Sequence, residues 1–228
     1  KRSPTAQAAF KRYRLNVRTS DDQRAIDMAL WSCNTLGRID PESLKGRECF
    51  VGLDLSSKID ITAAVRLFAP SSPGERWKLL ARFWIPADNI TEREDRDRAP
   101  YRRWIDDGWV EPTLGNIVDH ESDFRTVLWD ARDYPAIEIA YDPWNATQMA
   151  VQLQNEGVRM IEFIQGLRSY TAPTKELLAM LQAERLDHGE NPVLTWMASN
   201  LHVQTDKNEN MMPTKKTSRG RIDGITAL

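Results

Sequence analysis

A mixed α/β sheet, in which an antiparallel meander of three strands leads into parallel strands with crossover helices, is the fold class that the sequence predicts. Three observations predict it. Apolar segments starting at Cys49, Ile61 and Trp77 follow one another through short, turn-like connections, which suits antiparallel pairing. After Asp119 helical and strand patterns alternate, as parallel strands with helices between them require. A chain of 228 residues that is 41% hydrophobic and 28% charged has enough apolar content for one sizeable core with an appendage.

Residues 1–48 read as a helical linker or brace ahead of the sheet. Ser20 and Gln23 make a capping box for a helix carrying Ile26, Ala29, Leu30 and Cys33. Asp40-Pro41 then opens a short turn of helix that Gly46 closes. The main domain spans 49–228. Phe50, Val51, Leu53 and Leu55 form its first strand, Ile61 to Phe68 the second after Ser56-Ser57-Lys58, and Trp77 to Ile85 the third after the Pro/Ser/Gly loop at 70–74. Thr91 to Arg98 interleaves acids with bases and reads as a solvated helix face or a loop. Pro100 to Asp107 is a short helix ended by Gly108. There follow a helix at 121–132, a buried strand Ile137 to Tyr141, a helix from Asn145 to Glu156 and a strand Val158 to Phe163. Helices at 173–186 and 191–200 precede a strand-like His202 to Gln204, a polar loop, and a helical start at Arg221. A meander feeding a β-α-β segment is the ribonuclease H-like order.

Composition excludes several functions. The formal net charge is -2, so the chain lacks the basic signature of an obligate nucleic-acid binder, and any DNA contact is local. Cys33 and Cys49 belong to no CxxC pattern, and His120, His188 and His202 are scattered, which argues against zinc. No apolar run approaches the roughly 18 to 20 residues of a membrane span, and Lys1-Arg2 leads into no apolar signal region, so a cytosolic protein is expected.

Three aspartates stand out. In Gly52-Leu53-Asp54-Leu55-Ser56 a carboxylate interrupts an apolar strand, where it is costly unless a cation or a donor compensates it. In Ile139-Ala140-Tyr141-Asp142-Pro143-Trp144 another sits at the C-terminal end of a buried parallel strand, the edge where open α/β sheets bind ligands. In Arg221-Ile222-Asp223-Gly224-Ile225 a third begins a helix beside a glycine that permits close approach. Each also has a plain structural account: Asp142 as a helix cap, Asp223 as a first-turn acid in the helix dipole. Taken together in this element order, Asp54, Asp142 and Asp223 are expected to be the catalytic residues. Their hard oxygen ligands, with no His or Cys, favour Mg²⁺ or Mn²⁺, and two such ions would drive in-line hydrolysis of a phosphodiester.

These segments, with Asp60-Ile61-Thr62-Ala63 and the closing Arg221-Ile222-Asp223-Gly224-Ile225-Thr226-Ala227-Leu228, resemble the C-terminal nuclease domain of the large terminase subunit of tailed double-stranded DNA phages. The resemblance covers about 49–228, and Leu15-Asn16 with Trp31 is similar to the segment that joins motor and nuclease in that family. It implies an endodeoxyribonuclease that cuts concatemeric genome DNA during packaging, with Asp54, Asp142 and Asp223 as metal ligands for two divalent cations. Asp60 is implied more weakly, as a fourth ligand or as a group bonded to one. The implied partners are double-stranded DNA, the portal, the small terminase subunit and an N-terminal packaging ATPase, all in the host cell cytoplasm, with no membrane. Two departures stand beside it. No GxxxxGK[ST] loop is present, so no ATPase half is expected in this chain. Gly224 stands where some relatives have a second acid, which bears on the second metal.

Thr214 to Arg221 concentrates Lys215, Lys216, Arg219 and Arg221 just ahead of Asp223, and these are expected to contact DNA phosphates without reading sequence. Gln165 to Tyr170 follows the second parallel strand and could border the site, but reads first as a simple strand-to-helix connection. The tryptophans read as core, except Trp144 beside Asp142. Rival readings are a resolvase- or transposase-type nuclease of the same fold, a sugar-kinase or actin-like ATPase lacking its second phosphate hairpin, and a non-catalytic docking module.

Overall fold

The computed structural model describes residues 25–55, 61–115, 127, 130, 132–214 and 220–228, with backbone alone at 145–148. Seven strands form the main sheet: β1 (Cys49–Asp54), β2 (Thr62–Phe68), β3 (Trp77–Pro86), β4 (Glu111–Thr113), β5 (Ala136–Tyr141), β6 (Met160–Glu162) and β7 (Leu186–Asp187). Their order is β4-β3-β2-β1-β5-β6, with β7 also on β3. β1, β2 and β3 pair antiparallel, while β1 with β5 and β5 with β6 are parallel. The meander followed by parallel strands is the ribonuclease H-like order expected from the sequence.

The helices are α1 (Met28–Cys33), α2 (Ile90–Asp97), α3 (Tyr101–Asp106), α4 (Pro143–Asn155), α5 (Leu167–Gln182), α6 (Pro192–Asn200) and α7 (Asp223–Thr226). Side chains alternate across a strand, so the sheet separates two cores, and the buried apolar side chains of β1 all face one of them. Val51 and Leu53 face one with Ile139, Tyr141 and, from α4, Met149 and Leu153. On the other face Ala63, Val65 and Phe83 meet Met197 of α6 and Ile225 of α7. Ile26 and Trp31 join this second core and Leu44 the first, so the described part of the segment before β1 packs into the body of the sheet. Gly46 closes the short 3₁₀ turn Pro41–Leu44 with φ +76°, as its placement suggested.

Several expectations move. The helix before the sheet starts at Met28, capped by Asp27, whose side chain accepts the Ala29 N–H; the Ser20–Gln23 box lies outside the described residues, as does most of the helix at 121–132. α5 begins at Leu167, six residues before the Pro173 that the sequence offered as its start, and carries that proline inside. β4 and β7 are too short to show a period of two. The polar stretch after His202 contains β9 (Met211–Thr214), which pairs antiparallel with β8 (His202–Thr205) as a separate hairpin.

The largest correction concerns residues 91–98. They form α2, and its charged face is not wholly solvated: Arg93 and Asp97 are buried. Asp97 accepts from Arg96 Nε at 2.7 Å, Tyr101 Oη at 2.9 Å and Arg221 Nε at 3.2 Å. Mixed charge in the sequence was thus partly an internal network and not only a wet surface.

Candidate active site

β1 and β5 run parallel with Leu53 beside Tyr141, so the next residue of each chain, Asp54 and Asp142, sits at the same C-terminal edge of adjacent strands. Adjacent strands lie about 4.8 Å apart, and in-register residues of a parallel pair share a face. For Asp54 that face is the one on which α7 packs, because it alternates with the core-facing Leu53 and Leu55. Gly52 makes the packing possible. A Cβ there would stand 1.8 Å from the carbonyl oxygen of Ala227, so any side chain would push the end of α7 off the strand.

The three aspartates are held differently. Asp54 Oδ2 accepts from the Thr226 hydroxyl at 2.8 Å, and that hydroxyl also lies 3.0 Å from the carbonyl oxygens of Ile222 and Asp223. Asp54 therefore rests against the helical turn that Asp223 opens. Asp142 Oδ1 accepts the backbone N–H of Trp144 at 3.0 Å and caps α4, which begins at Pro143 and not at Asn145. The capping account of Asp142 is thus a fact of the structure, and a cap uses one carboxylate oxygen. Asp223 is 2% exposed. Beside it Gly224 is packed so tightly that a Cβ would fall 2.7 Å from the Phe83 ring, and its N–H points at Met197 Sδ at 3.1 Å. The glycine's close neighbours are core side chains, and a second acid has no room at that position.

A cavity of about 130 Å³ opens at this edge. Asp54 and Asp142 line it together with Gly52, Phe163, Gln165, Tyr170 and Thr226. Asp223 is not among its lining residues, and among the described residues no three His, Cys, Asp or Glu side chains are grouped as a metal cluster. The structure brings two of the expected ligands to one cavity and keeps the third in the adjoining helical turn. The carboxylate and hydroxyl oxygens available there match a hard cation in chemistry.

Asp60, Lys215, Lys216 and Arg219 lie outside the described residues. Arg221 is described, mostly buried, with its guanidinium on Asp97. Sequence reasoning ranked the site-bordering account of Gln165 to Tyr170 second, yet Gln165 and Tyr170 line the cavity, as their place after the C-terminal end of a parallel strand allows. It passed over Thr226, whose role depends on how α7 lies across β1. Trp144, the tryptophan set apart in the sequence, is 90% exposed beside Asp142.

The family model described as terminase large subunit, endonuclease domain, matches residues 2–228. The large terminase subunit of Enterobacteria phage HK97 is 30% identical over 230 residues, covering 100% of this chain and 44% of its own length. The crystal structure of the HK97 large terminase superposes with a TM-score of 0.81 at 29% identity, covering 98% of this chain and 46% of that one. The large terminase nuclease of thermophilic phage G20c with bound magnesium shares the fold, with a TM-score of 0.56 at 10% identity over 88% of this chain and 92% of that one. The chain spans less than half the length of the HK97 protein that it matches.

Proposed function

Because the chain belongs to the endonuclease-domain family of terminase large subunits, we propose that it is a metal-dependent endodeoxyribonuclease that cuts concatemeric phage genome DNA during packaging. The observation that carries this reading is the parallel register that sets Asp54 and Asp142 side by side at one cavity. Asp223, in the helical turn against which Asp54 rests, is the third ligand, and Asp60 is a weaker fourth. Together they would hold two divalent cations, Mg²⁺ or Mn²⁺, and the structure of a relative with bound magnesium supports the choice of ion.

When bound, such ions activate water and stabilise the charge on the leaving oxygen. The chain's own residues supply the rest. Two carboxylates fixed on adjacent strands hold their oxygens without reorganisation, and Thr226 orients Asp54 through its hydroxyl. In the reaction water adds to phosphorus, the bond from phosphorus to the 3′-oxygen breaks, and that oxygen leaves as a hydroxyl. Lys215, Lys216 and Arg219 would neutralise backbone phosphates, while Arg221, expected among them from the sequence, is engaged by Asp97. The partners of this reading are double-stranded DNA, the portal, the small terminase subunit and a packaging ATPase domain, met in the host cell cytoplasm. No helix among the described residues is long and apolar enough to cross a membrane.

The grouping of two acids at the cavity, and not three, favours one second reading, a non-catalytic docking module. Supercoiled plasmid incubated with the chain in Mg²⁺, Mn²⁺ or EDTA separates the two. Nicking or linearisation that needs metal supports the nuclease. An intact plasmid in both metals moves the docking reading to the front.

A further inference from the structure

One wall of the cavity is left unused by the metal ligands. Tyr170, Pro173, Thr174 and Leu177 of α5 line it at helical spacing, with Phe163 just beyond β6. Tyr170 is 6% exposed, and its ring is set edge-on against Phe163, with centroids 5.0 Å apart and planes at 69°. Packing thus decides where the hydroxyl points. No hydrogen bond joins that hydroxyl to another described residue. Tyr170 lines the cavity beside Asp54 and Asp142, so its hydroxyl is available to a ligand bound there. Burial, followed by the charges of Asp54 and Asp142, pushes the phenol's ionisation well above its ordinary range, which places the ring within electrostatic reach of both carboxylates. The group is a donor at any working pH.

A site built from carboxylates has acceptors in excess. A phosphodiester that gathers charge at its non-bridging oxygens needs donors as well as cations, and a donor held in place beforehand is the effective kind. We propose that the Tyr170 hydroxyl donates a hydrogen bond to a non-bridging oxygen of the phosphodiester bound in this cavity, which makes Tyr170 a catalytic residue. The assignment rests on the nuclease reading of the site. The phenol keeps its proton throughout.

The test is Tyr170→Phe, which removes one oxygen and keeps the ring on Phe163. Plasmid cleavage in Mn²⁺ is followed for parent and variant well below the melting temperature of each, and Mn²⁺ affinity is measured by calorimetry. The expected result is a kcat lowered roughly 10- to 100-fold, the range for a lost hydrogen bond to a charged group, with KM and Mn²⁺ affinity unchanged. A variant that cuts at the parental rate overturns the proposal and leaves the nuclease reading intact. Loss of cutting matched by loss of Mn²⁺ affinity also overturns it, because Tyr170 would then act on the metal ligands and not on the substrate. A parent that cuts nothing fails the nuclease reading itself.

Discussion

Two kinds of buried or half-buried acid coexist in this molecule. Asp130 meets Arg66 at 2.5 Å and Arg82 at 3.2 Å, and Asp97 meets Arg96 and Arg221 with the Tyr101 hydroxyl. At the sheet edge the Thr226 hydroxyl donates to Asp54 and the Trp144 backbone N–H to Asp142. A guanidinium offsets the charge and fixes the carboxylate as part of the framework. A hydroxyl or backbone N–H orients a carboxylate without cancelling its charge, which suits the proposed role of the sheet-edge acids in holding a cation. The contrast teaches that the partner of an acid, more than its burial, separates framework from chemistry.

The sharpest way to break the comparison is to neutralise each kind. Asp54→Asn and Asp223→Asn should each lower metal-dependent plasmid cleavage on the order of a thousandfold or more, since removing one member of a catalytic set costs nearly as much as removing all. Their melting temperatures should stay close to that of the parent, because Asn in place of Asp54 still accepts the Thr226 hydroxyl. Cleavage at the parental rate by either variant would remove that residue from the site. Asp130→Ala should do the reverse. It leaves Arg66 buried beside a vacated partner and should lower stability by about 3 to 5 kcal/mol in urea denaturation.

Gly52→Ala lies between the two regions. Its methyl cannot fit beneath the Ala227 carbonyl, so α7 must shift, at about 1 to 3 kcal/mol. Because Asp223 and Thr226 ride on α7, cleavage should fall more than stability alone explains, which activity assays at matched folded fraction would reveal. An alanine variant with parental activity would show that the seat of α7 is not critical.

The smallest effects are in pH. Burial pushes the Asp97 carboxyl up, but Arg96, Arg221 and Tyr101 together hold it below its ordinary value. The unfolded chain therefore binds more protons near and below pH 4, so this stability is complete above the ordinary carboxylate range and is lost as pH falls through the lowered value. His188 is stacked on Trp31 with ring centroids 4.3 Å apart, and burial lowers its pKa. Its neutral form is favoured in the fold, so stability declines as pH falls below about 6.5, the ordinary histidine value. His188→Gln should flatten the upper part of a stability–pH curve and Asp97→Asn the acid part. Unchanged curves would contradict these assignments.

Much of the fold was legible because periodicity and punctuation carried it: β1, β2, β3 and β5, the Gly46 and Gly108 stops, and the change from antiparallel to parallel order. What was not legible depends on partners far along the chain. β4 and β7 exist only because β3 receives them, and the charges at 91–98 turn inward only because Arg221 and Tyr101 meet them. At the site, Asp54 and Asp142 were readable as acids out of place. Their register across β1 and β5, the hydroxyl of Thr226 and the wall built by Tyr170 follow from packing that no local pattern encodes.

The most direct test of the account is Asp142→Asn, because Asn caps a helix about as well as Asp and differs chiefly in charge. Calorimetric Mn²⁺ binding, with plasmid cleavage and thermal melting on the same samples, separates the two roles of this residue. The account predicts an unchanged melting temperature, with Mn²⁺ binding weakened and cleavage lost. A variant that melts, binds Mn²⁺ and cuts like the parent would show that Asp142 only caps α4, and would contradict the assignment of this sheet edge as the metal site.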